Sequence, residues 1–194
     1  MKLTSAVFTQ MDEARKRTLA RGVDVINLSI GSPDLPPAPH VIEALAAGVR
    51  DESVYGYPMR DLPLFREAVA AWYRQRFSVN LDPDTQVLGL TGSQEGLAHI
   101  AQAVTDPGDL VLVPDPGYPI YAAGPVLAGA ELYPVPLDAA QGYLPDLEAL
   151  PEAVKRRARL LVLNYPSNPL SAVGLRTLFP MYKKHPRRFH HSRQ

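Results

Sequence analysis

Cysteine is missing from this sequence altogether. That excludes disulfides, a thiolate nucleophile and cysteine-ligated metal, and it suits a reducing compartment. Missing too is any run near the roughly 18 to 20 apolar residues that cross a bilayer. The first ten residues offer one basic side chain and reach Asp12 and Glu13 without the apolar stretch of a secretion signal. The expectation is a cytoplasmic protein with no membrane partner. Net charge is absent as well, with 20 basic residues against 20 acidic ones, so the overall balance does not steer the chain toward nucleic acid. What is present is ordinary for a globular protein: 46% apolar and 21% charged residues in 194, enough for one sizeable core.

The zero net charge conceals an asymmetry. From Gly174 onward Arg176, Lys183, Lys184, Arg187, Arg188 and Arg193 stand with no acidic residue, beside His185, His190 and His191. Before that point the chain is acidic. A disrupted reading frame accounts for so abrupt a change of composition, and the alternative is a purposeful basic arm. The tail histidines have no carboxylate or cysteine near them in sequence, which argues against a metal site. His40 reads as a loop residue and His99 as a helical one, with no spacing that supports a catalytic triad.

Hydrophobic periodicity predicts helices over Phe8 to Arg21 (ending at Gly22), Val41 to Val49 and Leu62 to Phe77. In the last of these Phe65, Ala68, Val69 and Trp72 share a face expected to pack on the core. Short apolar runs follow at Gln86 to Thr91, Leu110 to Pro114, Ala130 to Val135 and Arg159 to Asn164. They alternate with helical stretches at Gln94 to Val104, Tyr118 to Leu127 and Asp146 to Arg157. That alternation predicts an α/β fold of three αβα layers with a mostly parallel sheet. The unalternating Leu160-Leu161-Val162-Leu163 reads as a strand buried on both faces.

Ligands of such sheets bind beyond the carboxyl ends of the strands, and three turns stand there. Thr91-Gly92-Ser93-Gln94 leaves a strand and opens a helix, whose unpaired N–H groups and positive dipole end suit a phosphate. Ser93 as a simple helix cap is the structural alternative. Asp115-Pro116-Gly117-Tyr118-Pro119 is a turn whose tyrosine is either a surface anchor or a flat platform for a ring. Asn164-Tyr165-Pro166-Ser167-Asn168-Pro169 is either a proline-stiffened Asx turn or the support of a donor amide.

In order and spacing these turns, with Ser29-Ile30-Gly31-Ser32-Pro33-Asp34 upstream, resemble the N-terminal portion of the fold type I pyridoxal-phosphate-dependent aminotransferases. The likeness is to the class I/II branch with aspartate, alanine and LL-diaminopimelate aminotransferases, and it covers about residues 8 to 173. It implies pyridoxal 5'-phosphate as cofactor, with its phosphate at Gly92, Ser93 and Gln94, its ring on Tyr118 and its O3′ at Asn168. It implies further that the Gly31 backbone approaches the substrate carboxylate. Within Tyr55-Gly56-Tyr57-Pro58, Tyr57 is matched to a tyrosine that reaches the phosphate of a partner subunit, with Tyr55 left possible. Amino acid and 2-oxo acid substrates and a homodimer belong to the complete enzyme. Carbon-sulfur lyases share the same N-terminal motifs, and a noncatalytic ligand-binding fragment is the reading from another class.

The sequence departs from the family in two ways. Leu170-Ser171 follows Asn168-Pro169 where relatives usually carry Thr-Gly. The lysine that holds the cofactor covalently has no candidate among Lys2, Lys16, Lys155, Lys183 and Lys184, so no catalytic residue is assigned. The expected division is an N-terminal arm and substrate loop at 1–40, a partial cofactor-binding large domain at 41–173 and an aberrant tail at 174–194. The resemblance also puts the second, third and fourth strands side by side. It leaves Gln86 to Thr91 without a neighbour, because that strand's partner is encoded after residue 173.

Overall fold

The structure is a computed structural model that describes residues 7–28, 31 and 33–174, with the side chains of Val7 and Phe8 excepted. Apart from Gly174, the basic tail lies outside the described residues, as do Ser29, Ile30 and Ser32. The chain divides into two units between Gly89 and Leu90.

In the first unit α1 (Val7–Leu19), α2 (Pro39–Arg50) and α3 (Pro63–Phe77) follow one another. Prolines open α2 and α3 where a missing N–H costs nothing. Gly22, at φ +77, ends the first helical segment as its sequence predicts. Ser78 closes α3 at φ 56 and donates its N–H to Arg74 O. The expectation that α3 buries Phe65, Ala68, Val69 and Trp72 is not met. None of the described residues up to Gly89 is buried, and Phe65 and Trp72 are 48% and 53% exposed. Periodicity identifies the face a helix offers to a partner, and the described residues supply no partner that closes over it.

Gln86 to Thr91 forms no ladder with any of the described residues. Its backbone is occupied locally instead. Gln86 N–H donates to Asp82 O, the Gln86 side-chain carbonyl accepts from Asp82 N–H at 2.8 Å, and Gly89 N–H donates to an Asp61 carboxylate oxygen at 2.6 Å. A Cβ on Gly89 would run into that carboxylate.

The second unit holds the core. α4 (Ser93–Val104), β1 (Leu110–Asp115), α5 (Ile120–Leu127), β2 (Glu131–Pro136), α6 (Glu152–Arg157) and β3 (Ala158–Leu161) build a parallel sheet in the order β2-β1-β3. β1 lies in the middle and alternates its side chains between two layers. Leu110 and Leu112 pack with Val135, Leu150 and Ala158, against which Leu147 and Val154 lie. Val111 and Val113 pack on the opposite face with Tyr121, joined by Leu97, Tyr118 and Leu160. A strand buried on both sides needs the continuous run Leu-Val-Leu-Val. On the edge, β2 tolerates Pro134 and Pro136 because a proline there need not donate outward.

Two element expectations shrink. The helix expected over Asp146 to Arg157 is confined to α6. Before it, the Asp146 carboxylate accepts from Glu148 and Ala149 N–H, and Pro151 fixes the entry. The fourth strand is ordered as β3 over Ala158–Leu161 and carries an irregularity between Leu110 and Val111 on its partner. Beyond it only Val162 N–H reaches Leu112 O, at 3.0 Å, before the chain turns away.

Candidate functional site

Three of the turns singled out in the sequence belong to the second unit. Gly92 is the N-cap of α4 with φ 85 and ψ 151, a conformation that only glycine adopts without strain. Ser93 is the first helical residue, and no side chain caps α4. The alternative in which Ser93 caps the helix is therefore not realised. An uncapped start to a 12-residue helix presents N–H groups and the positive end of the dipole together. Gly92, Ser93 and Gln94 are all exposed there.

α4 packs closely on α5. A Cβ on Gly124 of α5 would stand 2.7 Å from Leu97 O and 3.0 Å from Ala98 O, both backbone atoms of α4. Tyr118 lies in the turn between β1 and α5, half-buried against the Val111, Val113 and Tyr121 layer. Its ring meets that of Tyr121 edge-on at 6.0 Å. Gly117 allows this turn, since a Cβ there would come within 2.5 Å of Pro114 O. Burial pushes the Tyr121 phenol up from its ordinary value, with a smaller contribution from Tyr118.

Asn168 sits in a tightly bonded loop after β3. Its backbone N–H donates to Asn164 Oδ1 at 2.9 Å. Ser167 N–H donates to Ala172 O and Ser171 N–H to Ser167 O, both at 2.8 Å. Tyr165 OH donates to Tyr143 O at 3.0 Å, and burial raises its pKa. Asn164 and Asn168 line a recess with Pro114 at the end of β1, Pro116 just after it, Leu137 after β2, and Tyr121 of α5. The recess thus gathers residues from the carboxyl ends of all three strands, where ligands of open parallel sheets bind. The departure at Leu170-Ser171 does not break the loop. Ser171 takes φ 55, the left-handed conformation that a glycine would occupy at no steric cost.

Gly31 and Tyr57 belong to the first unit. Gly31 is exposed with nothing within 4 Å of an added Cβ. Tyr57 is 97% exposed, whereas the Tyr55 hydroxyl donates to Val49 O at 2.6 Å. Sequence reasoning assigned no role to Glu95, whose carboxylate takes the Thr91 N–H. A signal existed, a glutamate at the third helical position after a turn. The Asn164 side chain accepts within the turn that the sequence offered as an Asx turn.

These residues fit the groups of pyridoxal phosphate at three points. An uncapped helix start suits a phosphate, a half-buried tyrosine offers a ring face, and an asparagine amide borders the recess.

Comparisons with known proteins identify the family. The family described as Aminotransferase class I and II matches residues 23–174. An LL-diaminopimelate aminotransferase of Desulforudis audaxviator is 47% identical over 174 residues, covering 89% of this chain and 44% of that protein. One from Moorella thermoacetica is 48% identical over 174 residues, covering 89% and 45%. Among solved structures, apo-BacF from Bacillus subtilis superposes with a TM-score of 0.86 at 40% identity, over 94% of this chain and 48% of that one. A probable N-succinyldiaminopimelate aminotransferase from Thermus thermophilus superposes with a TM-score of 0.84 at 42% identity, over 93% and 50%. The chain therefore spans less than half the length of the two curated relatives. With the family match running through all three strands and every turn of the recess, the chain belongs to the class I and II aminotransferases, which are pyridoxal-phosphate-dependent and share fold type I.

Proposed function

We propose that this chain supplies the phosphate, ring and O3′ contacts of an aminotransferase cofactor site, and that the complete protein moves an amino group between an amino acid and a 2-oxo acid. The observation that carries the reading is the α4 start: a helix without a side-chain cap, entered through a glycine at φ 85. Gly92, Ser93 and Gln94 hold the phosphate through backbone N–H groups and the Ser93 hydroxyl. Tyr118 supports the ring face. Asn168 donates its amide to O3′ and favours the ionised oxygen. When bound, the cofactor supplies an electron sink for the substrate α-carbon. In the first unit, Gly31 offers its backbone to a substrate carboxylate. Tyr57, exposed where Tyr55 is engaged, is the tyrosine that reaches the phosphate of a partner subunit in a homodimer. Residues 41–173 are then the start of the large domain and 1–40 the arm and substrate loop. The names of the relatives favour LL-diaminopimelate as the amino acid.

The described lysines do not serve as the covalent anchor. Lys155 Nζ donates to Glu148 O at 2.8 Å and pairs with Glu152 at 3.1 Å. Its helix runs directly into the start of β3, so Lys155 lies at the amino end of the sheet while the recess lies at the carboxyl end. Lys16 pairs with Asp12 at 2.7 Å on the exposed face of α1. We therefore infer that this chain alone performs no transamination, and we place it in the cytoplasm.

The test is a titration of the 194-residue chain with pyridoxal phosphate. Ser93→Ala, Tyr118→Ala and Asn168→Ala should each weaken binding by roughly three- to tenfold, the worth of one hydrogen bond or ring contact. Equal binding by all three variants would reject the site. Transamination by the chain alone that vanished in Lys155→Ala would reject the inference about its lysines.

A further inference from the structure

The phosphate turn is held from both sides by contacts that no cofactor role accounts for. Thr91 N–H donates to Glu95 Oε2 at 2.5 Å, and Glu95 N–H returns a bond to Gly92 O at 3.2 Å. One residue further out on each side, the Leu90 side chain lies over Gly96, where an added Cβ would come within 2.6 Å of Leu90 Cδ1. The two residues before Gly92 are thus tied to the third and fourth residues of α4. Between the ties stand Gly92, Ser93 and Gln94, with no side chain capping the helix.

We propose that Glu95 is a positioning residue for this turn: its carboxylate fixes the chain entering the helix and at the same time weakens the pull of the helix start on a phosphate. The proposal rests on the phosphate reading of Gly92 to Gln94. Its first half follows from where the Thr91 N–H is spent. In a capping box the glutamate at the third helical position returns to the cap residue itself. Here it reaches one residue beyond, to Thr91, and so braces the turn without covering it. The second half follows from charge. An acidic side chain in the first helical turn is favoured by the dipole, and a phosphate competes for the same positive end. A resident carboxylate therefore opposes a tightly held phosphate while keeping the turn in shape when none is bound. Gly96 completes the device, since any side chain there would displace Leu90 and open the outer tie.

Two substitutions separate the halves. Glu95→Gln keeps an acceptor for Thr91 and removes the charge, whereas Glu95→Ala removes both. Hydrogen exchange at the Thr91 amide reads the tie with no ligand present. It should stay protected in the parent and in Glu95→Gln and lose protection in Glu95→Ala. Affinity for pyridoxal phosphate and for inorganic phosphate, followed by phosphorus NMR, reads the charge. Glu95→Gln should bind about two- to fivefold more tightly than the parent, the scale of one charge at a helix end. Glu95→Ala should bind about two- to tenfold more weakly than Glu95→Gln, the scale of a lost helix-start contact. Unchanged Thr91 exchange in Glu95→Ala would overturn the tie. Equal affinity of Glu95→Gln and the parent would overturn the charge effect, and this holds even if Glu95→Ala fails to fold. A parent chain with a protected Thr91 amide that bound neither ligand would reject the phosphate reading and the charge effect with it, and would leave the tie standing as a purely structural bond.

Discussion

Replacing Leu112 with alanine should cost this chain far more than replacing Phe77, although phenylalanine is the larger residue. Leu112 is fully buried in the middle strand and packs with Leu110, Val135, Leu150 and Ala158. A buried leucine cut to alanine loses about 3 to 5 kcal/mol, because the cavity it leaves cannot fully collapse. Against a total stability of about 5 to 15 kcal/mol that loss removes roughly a fifth of the margin or more. Phe77 is 51% exposed and touches Trp72 and Tyr73 at ring-centroid distances of 5.1 and 5.4 Å. Losing two such ring contacts on a half-open surface costs about 1 to 2 kcal/mol. The single tryptophan, Trp72, makes the comparison direct. Its emission follows the first unit, in which Trp72 lies, and exchange at Val111 to Val113 follows the second. Leu112→Ala should lower the urea midpoint read by exchange at Val111 to Val113, and Phe77→Ala should lower the midpoint read by Trp72 emission by much less. A Phe77→Ala loss as large as that of Leu112→Ala would refute the reasoning, since it would require α3 to be covered rather than open.

Two other outcomes follow from the loop after β3. Ser171→Gly should stabilise it by up to about 1 kcal/mol, because a left-handed residue with a Cβ is strained by about 1 to 2 kcal/mol and glycine returns part of that gain as unfolded-state entropy. Slower exchange at the Ala172 amide would register the gain, and faster exchange would contradict the strain at φ 55. Burial raises the Tyr165 pKa, so its contribution is fully present below the ordinary phenol range near 10 and is lost as pH rises through the folded value. A pH titration of loop exchange should therefore show an alkaline step that disappears in Tyr165→Phe, and a step that survives in that variant would assign it elsewhere.

The elements that were legible in the sequence are those whose partners lie within it. Leu110 to Pro114 reads as a doubly buried strand and is one, because α4 stands just before it and α5, β2, α6 and β3 follow soon after. The three turns were legible for the same reason: each ends or begins an element whose period is clear. Gln86 to Thr91 also carries an apolar run, Val87, Leu88 and Leu90, but has no neighbour among the described residues, and Asp61 and Asp82 take up its backbone donors or pair beside them. Asp146 and Pro151 overrule the helical pattern of the stretch before α6, because an Asx turn and a fixed φ act locally where periodicity averages over many residues. Glu95 escaped notice because its spacing from Thr91 is one residue longer than the usual reciprocal cap.

The loop from Asn164 to Ala172 shows how a departure from a familiar pattern can leave a site's shape intact. The sequence places a serine where a glycine would be comfortable, and propensity alone predicts a distorted turn. The structure keeps the turn because its bonds do not depend on that side chain. Ser171 offers its backbone N–H to Ser167 O, Ala172 returns its carbonyl to Ser167 N–H, and Ala172 N–H reaches Ser167 Oγ at 3.3 Å. On the other side Asn164 holds the backbone of Asn168. Two backbone bonds and a third from the Ala172 amide to the Ser167 hydroxyl, at a net worth of about 1 kcal/mol each, outweigh one left-handed serine. The strain is therefore carried at Ser171, while Asn168, the residue proposed to donate its amide to the cofactor, is held by a separate bond to Asn164.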